Sequence, residues 1–173
     1  MNGQFLARTP LLLAMLGLVF ALSGGCGLYT PYGAQTSGAK TFSVDYFRPQ
    51  SPLASPTVAQ NFTEALKDMI QRQSTLRLVD AQGELRFEGQ ITDYRVSPVG
   101  VQANETASRN RLSVTVKVKY TNTLETDLSF ERSFTKFADF DSGQDLLAVE
   151  NELMAEISDQ LTQEIFNASL GNW

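Results

Sequence analysis

The chain has 173 residues with 14 basic and 19 acidic side chains, one cysteine and no histidine, and its net charge is −5 at neutral pH. The single cysteine excludes an internal disulfide, and the acidic balance makes the chain a poor candidate for binding nucleic acid. Histidine is the usual proton carrier and metal ligand near neutral pH, so its absence argues against an enzyme.

The N-terminal segment is typical of a secretory signal peptide. An uninterrupted apolar run of 12 residues, Leu11–Leu22, follows Arg8 and precedes Ser23-Gly24-Gly25-Cys26. A positive start, an apolar centre and small residues before the cut are the three parts of such a signal. A cysteine at the cut predicts a bacterial lipoprotein signal over residues 1–25, with the thiol of Cys26 acylated.

Two alternatives to acylation stay open. As a helix the apolar run would span about 18 Å, against about 30 Å of hydrocarbon, so its length argues against a membrane span. Lipoprotein signals usually carry leucine three residues before the cysteine, where this chain has Ser23. Cleavage by an ordinary signal peptidase would leave Cys26 as a free thiol.

Residues 26–39 lack apolar periodicity and predict a flexible tether.

The first half of the remaining chain predicts strand, helix, strand and strand. In the first strand Phe42, Val44 and Tyr46 share the buried face. Ser55-Pro56 provides an N-cap followed by proline at the first helical position. The apolar parity of the fourth element changes near Thr92–Asp93, which predicts a bulge. The predicted elements are a strand over 40–48, a helix over 56–73, a short strand over 76–79, a turn over 80–83 and a strand over 85–96.

The second half predicts two strands and a long helix. The clearest strand, 111–121, alternates between inward Leu112, Val114, Val116, Val118 and Tyr120 and outward Arg111, Ser113, Thr115, Lys117 and Lys119. A polar connection over 98–110 precedes it, and a last strand runs from Leu128 to about Phe137. Ser142 and Asp145 resemble a capping box that starts the helix. Its apolar stripe is Leu146, Val149, Leu153, Ile157, Leu161 and Ile165, and Gly171 ends it.

The element order β-α-β-β-β-β-α predicts one α+β domain over residues 40–173. Strands joined by short turns are expected to be antiparallel neighbours. We therefore expect a two-layer sandwich, a mainly antiparallel sheet with both helices on one face.

The open face of that sheet carries the candidate site. Arg111, Lys117 and Lys119 share parity and project from the face that the helices leave bare, and Arg109 lies just before them. Lys117 and Lys119 are about 7 Å apart along the strand, a spacing suited to contacting several phosphates. The simpler alternative is a solvated face whose lysines keep the domain soluble.

Residues Asp139–Glu150 weakly resemble a calcium-binding loop. The glycine that such a loop requires at its sixth place is Gln144 here, and helix capping accounts for the acidic residues without a metal. A catalytic pair of Asp139 and Asp141 is disfavoured because nothing nearby predicts a shaped pocket. We expect no metal, no cofactor and no catalytic site.

Six stretches along the mature chain, Cys26 to Trp173, carry a family resemblance: Thr41–Phe47, Phe62–Asp68, Phe87–Tyr94, Ala103–Ala107, Asn110–Leu112 and Ala138–Asp141. Behind a lipoprotein signal, they resemble the LptE family of lipopolysaccharide-assembly lipoproteins in the form found in Bacteroidetes. These stretches are typical of the family and are not catalytic signatures.

The resemblance implies a lipoprotein of the outer membrane, on its periplasmic face, that plugs the lumen of the β-barrel LptD and helps to deliver lipopolysaccharide to the cell surface. It also implies a target for the basic residues, because lipid A and inner-core phosphates are anionic. It assigns no individual binding residue, so Arg109, Arg111, Lys117 and Lys119 rest on charge placement. The alternative is a ligand- or partner-binding periplasmic lipoprotein of another envelope assembly machine.

Overall fold

The computed structural model describes residues 34–99 and 109–171; Cys26, the predicted signal peptide and most of the predicted tether lie outside these ranges. The elements in chain order are β1 (Thr41–Val44), β2 (Arg48–Pro49), α1 (Pro56–Gln73), β3 (Arg77–Leu78), β4 (Leu85–Val99), β5 (Arg109–Asn122), a 3₁₀ helix (Thr126–Leu128), β6 (Phe130–Asp141) and α2 (Leu146–Leu170). They form the predicted α+β fold of two helices and one sheet around a shared apolar core.

The sheet is mixed, and this corrects the expectation that strands joined by short turns are antiparallel neighbours. Its strand order is β3-β1-β4-β5-β6, with β2 also paired to β4. β1 is parallel to both β3 and β4, whereas β4, β5 and β6 form an antiparallel meander. β3 and β4 are therefore separated by β1, although only residues 79–84 connect them.

Gly83 explains how the chain passes from β3 to β4. The connection crosses β1 on the sheet face of Ser43, where Gly83 N donates to Ser43 Oγ over 3.2 Å. A Cβ at position 83 would lie 2.5 Å from the carbonyl carbon of Phe42 and 2.5 Å from the nitrogen of Ser43. Backbone contacts backbone at this crossing, so only glycine fits. The crossing also buries Ser43, which faces away from the helices.

The predicted burial of Tyr46 is wrong because the chain carries one extra residue between β1 and β2. The four steps from Val44 to Arg48 match only three steps on β4. An extra residue reverses the inward parity of the strand. Tyr46 is consequently 45% exposed, and Phe47 is fully buried in its place. The Phe47 ring meets the Phe62 ring edge-on, with centroids 5.1 Å apart.

The meander of β4, β5 and β6 confirms the sequence-based prediction most closely. The pairing register shifts between Ile91 and Asp93, which places the bulge where the change of parity predicts it. The five inward residues of β5 are all buried. β4 continues to Val99 and β5 already begins at Arg109, so the connection between them is shorter than the predicted 98–110.

Two residues of the meander depart from the predicted pattern. Leu128, predicted to start the last strand, belongs to the 3₁₀ helix and is 46% exposed. Ser113 lies on the open face as predicted but is buried, because Arg95 and Phe137 flank it on the neighbouring strands.

Helix α1 begins as predicted. Ser55 Oγ accepts a hydrogen bond from Val58 N over 3.2 Å, and Pro56 is the first helical residue. An N-cap oxygen of this kind satisfies a backbone donor that has no partner within the helix. The helix then buries an apolar stripe against the sheet: Val58, Phe62, Leu66, Met69 and Ile70.

Helix α2 begins at a different cap from the one predicted. Asp145 is the N-cap, and its Oδ1 accepts from Leu147 N over 3.2 Å, so Ser142 does not form a capping box. Gly171 ends the helix as predicted. The predicted stripe is buried at Leu153, Ile157, Leu161 and Ile165 and partly buried at Leu146 and Val149. Among the described residues, neither helix has the length and apolar character needed to cross a membrane.

The last residues assigned to the tether contact the domain. Ala34 forms an antiparallel bridge with Gly171, and Gln35 N donates to Leu170 O over 2.6 Å. Ala39 is buried in the core. The described chain therefore starts at the end of the domain where α2 ends and β1 begins.

Glu84 fixes this end of the domain. Its Oε2 accepts from Lys40 N at 2.6 Å and from Thr41 N at 3.0 Å. These backbone N–H groups, Lys40 first, lower the pKa of Glu84 because they stabilise its charged form. The carbonyl of Glu84 accepts from Thr123 N over 3.0 Å. One residue thus joins the start of β1 to the turn between β5 and β6.

Candidate functional site

Lys117 and Lys119 lie on the open sheet face, as predicted, and each forms an ion pair with a glutamate of a neighbouring strand. Lys119 Nζ is 3.0 Å from Glu88 Oε2 on β4. Lys117 Nζ contacts Glu131 Oε1 on β6, and this lysine lowers the pKa of Glu131. All four side chains are about half exposed. The four charges form a cross-strand charge ladder that is neutral overall.

A cleft of about 640 Å³ opens beside this charge ladder. Its backbone walls come from β1, the β1–β2 segment, the crossing near Asp80, β4, β5 and β6. Its charged lining is Asp45, Arg48, Asp80, Glu88, Lys117, Lys119 and Glu131. Within the described ranges, Asp45, Arg48 and Asp80 take part in no ion pair. The cleft is therefore mixed in charge, with cations and anions side by side.

Arg111 is held in a different way from the lysines. Its Nε and Nη2 donate to the two carboxylate oxygens of Asp139 over 2.7 and 2.9 Å. Its guanidinium also lies 3.6 Å from the ring centroid of Phe137. Asp139 raises the pKa of Arg111, and Arg111 lowers that of Asp139. Bidentate pairing and stacking commit this side chain to its neighbours.

The predicted basic residues do not form one cluster. Arg109 is exposed, and its Nη2 donates to Asp139 O over 3.4 Å, so it belongs with Arg111. Lys117 lies six positions after Arg111 along β5, a distance of about 20 Å. The open face thus has an arginine site toward one end and a lysine cleft nearer the other.

The acidic residues between Asp139 and Glu150 have separate roles. Asp139 binds the arginine described above, Asp141 accepts from a backbone N–H of its own turn, and Asp145 caps α2. Glu150 accepts from Tyr94 OH over 2.5 Å, and burial followed by this glutamate raises the pKa of that tyrosine. Over residues 34–99 and 109–171, no three Asp, Glu or Cys side chains lie together in a way that could hold a metal ion.

Sequence reasoning missed the partners of the lysines and one cation of the cleft. The outward parity of β5 does not by itself identify Glu88 and Glu131 as counterions, although the strand register places each beside Lys119. The sequence places Arg48 at the end of the first predicted strand and indicates no role for it. Its place in the cleft depends on the extra residue between β1 and β2, for which the sequence carries no clear signal.

Solved structures of other small proteins share this two-layer α+β fold. Lipoprotein B from Nitrosomonas europaea shares the fold with a TM-score of 0.53 at 14% identity, covering 82% of this chain and 88% of its own. A DUF330 protein from Xanthomonas campestris also gives 0.53, at 10% identity and with 80% and 88% coverage. At these identities the likeness concerns the fold alone.

The family follows from a sequence model. The model of the LptE family, described as lipopolysaccharide-assembly, matches residues 39–169. The chain belongs to the LptE family, as its resemblance predicts. Comparison with curated proteins gives no match.

Proposed function

We propose that this protein is a non-enzymatic, lipid-anchored subunit of the lipopolysaccharide translocon at the periplasmic face of the outer membrane. In this proposal it plugs an LptD-like barrel and helps to place lipopolysaccharide at the cell surface. The observation that carries it is the LptE family match, which spans nearly the whole described domain. The predicted signal and acylated Cys26 supply the anchor.

The lysine cleft is the part of the open face that suits lipopolysaccharide phosphates. Lys117 and Lys119 are 50% and 58% exposed in their side chains, and their glutamate partners are similarly exposed. Exposed pairs of this kind contribute little, so a phosphate can replace a glutamate at low cost. Arg111 lacks this freedom because its side chain is 32% exposed and held by two hydrogen bonds. We therefore assign Lys117 and Lys119 to direct contact with phosphates and Arg109 to a peripheral contact. Arg111 mainly stabilises the sheet through Asp139 and Phe137.

Copurification tests the translocon role. The tagged full-length protein, extracted from its own cells in mild detergent, is expected to carry an outer-membrane β-barrel in stable stoichiometry. Recovery of the protein as a free monomer would contradict the proposal. Because the barrel is identified by mass spectrometry of the purified complex, a partner from a different envelope machine would also be recognised, and it would support the alternative instead.

Charge reversal tests the cleft. The double variant Lys117→Glu/Lys119→Glu is expected to weaken binding of purified lipopolysaccharide, measured by a pull-down with the acylated protein. The matched control is Lys67→Glu/Arg72→Glu, which makes the same change in net charge on α1, in the other layer. Equal losses of lipopolysaccharide binding in both variants would show that only the net charge of the protein matters. Unchanged binding in the cleft variant, with an unchanged melting temperature, would remove these lysines from the site.

A further inference from the structure

The turn between β5 and β6, residues 123–129, exposes two leucines at the end of the domain where the described chain begins. Leu124 is 49% exposed and Leu128 is 46% exposed. The turn and the start of β1 lie at the same end of the domain, because Glu84 hydrogen-bonds both to Lys40, at the start of β1, and to Thr123, at the start of the turn. The turn and the described N-terminus thus face the same side of the molecule.

The turn holds its leucines outward on a fixed backbone. Asn122 is buried, and its Oδ1 accepts from Leu124 N and from Glu125 N, each over 2.9 Å. Asn122 N donates to Ser129 Oγ over 3.0 Å, which closes the turn from the other strand. The backbone of Leu128 is also bonded, since its N donates to Glu125 O over 3.1 Å. The two apolar side chains are therefore presented without further ordering, a condition that favours contact with an apolar phase.

The length of the chain between Cys26 and Ala34 limits how the domain can stand on a membrane. Eight Cα-to-Cα steps separate Cys26 from Ala34 and reach at most about 29 Å. Helix α2 starts at the opposite end and runs about 36 Å from Leu147 to Gly171, which bridges Ala34. A chain anchored at Cys26 is too short for the domain to stand inverted, with α2 upright and its N-terminus on the bilayer. In an upright domain, the end that carries Leu124 and Leu128 is therefore the one that faces the bilayer.

The charges around the turn indicate the kind of lipid surface. Glu125 and Asp127 are exposed within the turn, and Lys40 and Arg132 are exposed beside it. The Arg132 guanidinium lies 5.3 Å from the ring centroid of Phe130, at the base of the turn. Acids and bases around an apolar tip match headgroups that carry both a phosphate and an amine, whereas the two acids oppose an anionic surface.

We propose that the turn over residues 123–129 is a second membrane contact, in which Leu124 and Leu128 enter the interface of a zwitterionic phospholipid bilayer. The proposal rests on the acylation of Cys26 that the proposed function includes. The leucines add apolar contact to the acyl anchor, and two independent signals hold a protein on a membrane more firmly than one. The contact also orients the domain, with the start of β1 toward the bilayer and the N-terminus of α2 away from it.

Depth measurements on the acylated full-length protein test this contact. Acylation uses the only native thiol, so Leu128→Cys carries a single environment-sensitive fluorophore. In vesicles of phosphatidylethanolamine and phosphatidylcholine, we expect its emission to shift to the blue and to be quenched by nitroxide lipids. Leu147→Cys is the matched control, because Leu147 is 77% exposed and lies at the opposite end. Its label is expected to stay in water.

Each outcome decides the proposal. A lipid-quenched label at position 128 with an aqueous label at 147 supports it, and Leu124→Cys provides a second position in case Leu128→Cys is poorly folded. Aqueous labels at 124 and 128, or lipid-quenched labels at both ends, overturn it. A larger blue shift in phosphatidylglycerol vesicles overturns the zwitterionic preference. Mass spectrometry of the mature N-terminus measures acylation independently. A missing acyl group counts against the proposed function. Aqueous labels at positions 124 and 128 of an acylated protein count only against the membrane contact.

Discussion

The ring of Phe47 occupies the space that a side chain on Gly89 would need. A Cβ at position 89 would overlap Cε1 of Phe47 on one side and the carbonyl oxygen of Lys117 on the other. Phe47 in turn packs edge-on against Phe62 of α1, and its N–H donates to Thr63 Oγ1 over 3.1 Å. Because position 89 carries no side chain, Phe47 can pack against β4 and contact helix α1.

Gly89→Ala is expected to lower the free energy of unfolding by about 1–3 kcal/mol, because an added methyl group displaces either the buried ring or the backbone of β5. Urea denaturation measures the loss. The control is Gly143→Ala, where the nearest heavy atom, Asp141 Oδ1, would be 3.4 Å from the new Cβ. We expect a change within about 0.5 kcal/mol there. A similar loss at both glycines would show that the Phe47 contact is not the cause.

The regularity of the pattern separates what the sequence predicts from what it does not. β5 alternates without interruption for ten residues, and burial follows that alternation because both of its neighbours pair with it along its length. The bulge at Thr92 was predictable since it leaves apolar residues of opposite parity on its two sides. By contrast, Tyr46 and Phe47 are both aromatic, so the extra residue beside them leaves no mark on the pattern of apolar and polar residues.

The crossing at Gly83 and the split of the basic residues depend on contacts between distant parts of the chain. A glycine in a polar turn is common, and nothing local shows that its backbone lies against Phe42 and Ser43. Likewise, outward parity places Arg111 and Lys117 on one face but cannot distinguish a stacked, bidentate arginine from an exposed lysine. The residues that decide this, Asp139 and Phe137, lie on another strand.

Arg111 and Lys119 are expected to respond differently to the loss of charge. Arg111→Gln leaves the carboxylate of Asp139, which is 20% exposed, without its bidentate partner and uncovers Phe137, so the melting temperature is expected to fall. Lys119→Gln leaves a solvated glutamate and is expected to change the melting temperature little. Differential scanning calorimetry compares the two. A larger fall for Lys119→Gln would contradict the division of the open face into a supporting arginine and available lysines.

Glu84 is expected to make the domain sensitive to acid. Hydrogen bonds from Lys40 N and Thr41 N lower the pKa of Glu84 from its ordinary value of 4.5. The unfolded chain therefore takes up this proton first as pH falls, so the contribution is complete above pH 4.5 and is lost as pH drops through the lowered pKa. Glu84→Gln is expected to be less stable at neutral pH and to show a flatter stability profile below pH 5.

The control for Glu84→Gln is Glu152→Gln. Glu152 lies on the exposed face of α2. Within the described part of the chain, its side chain makes no hydrogen bond. Urea midpoints measured from pH 7 down to pH 3 give both profiles. Parallel profiles for the wild type and Glu84→Gln would show that the hydrogen bonds to β1 do not stabilise the folded chain.

Tyr94 joins β4 to α2 beyond the bulge. Its hydroxyl donates to Glu150 Oε1, while its ring is buried. Tyr94→Phe keeps the ring and removes the bond, so we expect a loss of about 1–2 kcal/mol in the free energy of unfolding. The control is Tyr46→Phe, whose exposed hydroxyl donates to Pro56 O over a longer 3.3 Å. Equal and negligible losses in the two variants would show that the contact to α2 adds no stability.

Tyr120 is expected to set the alkaline limit of stability. Burial among Phe87 and Phe130 raises its pKa from 10.0 to about 12. Between these two pH values the unfolded chain has released the phenolic proton and the folded chain has kept it, so stability is complete below pH 10 and falls as pH rises toward 12. Tyr120→Phe removes this titration, and its stability is expected to fall less steeply over the same range. Urea midpoints between pH 8 and pH 11.5 compare the two proteins, which differ only at position 120. An identical alkaline slope would show that the pKa of Tyr120 does not change on folding.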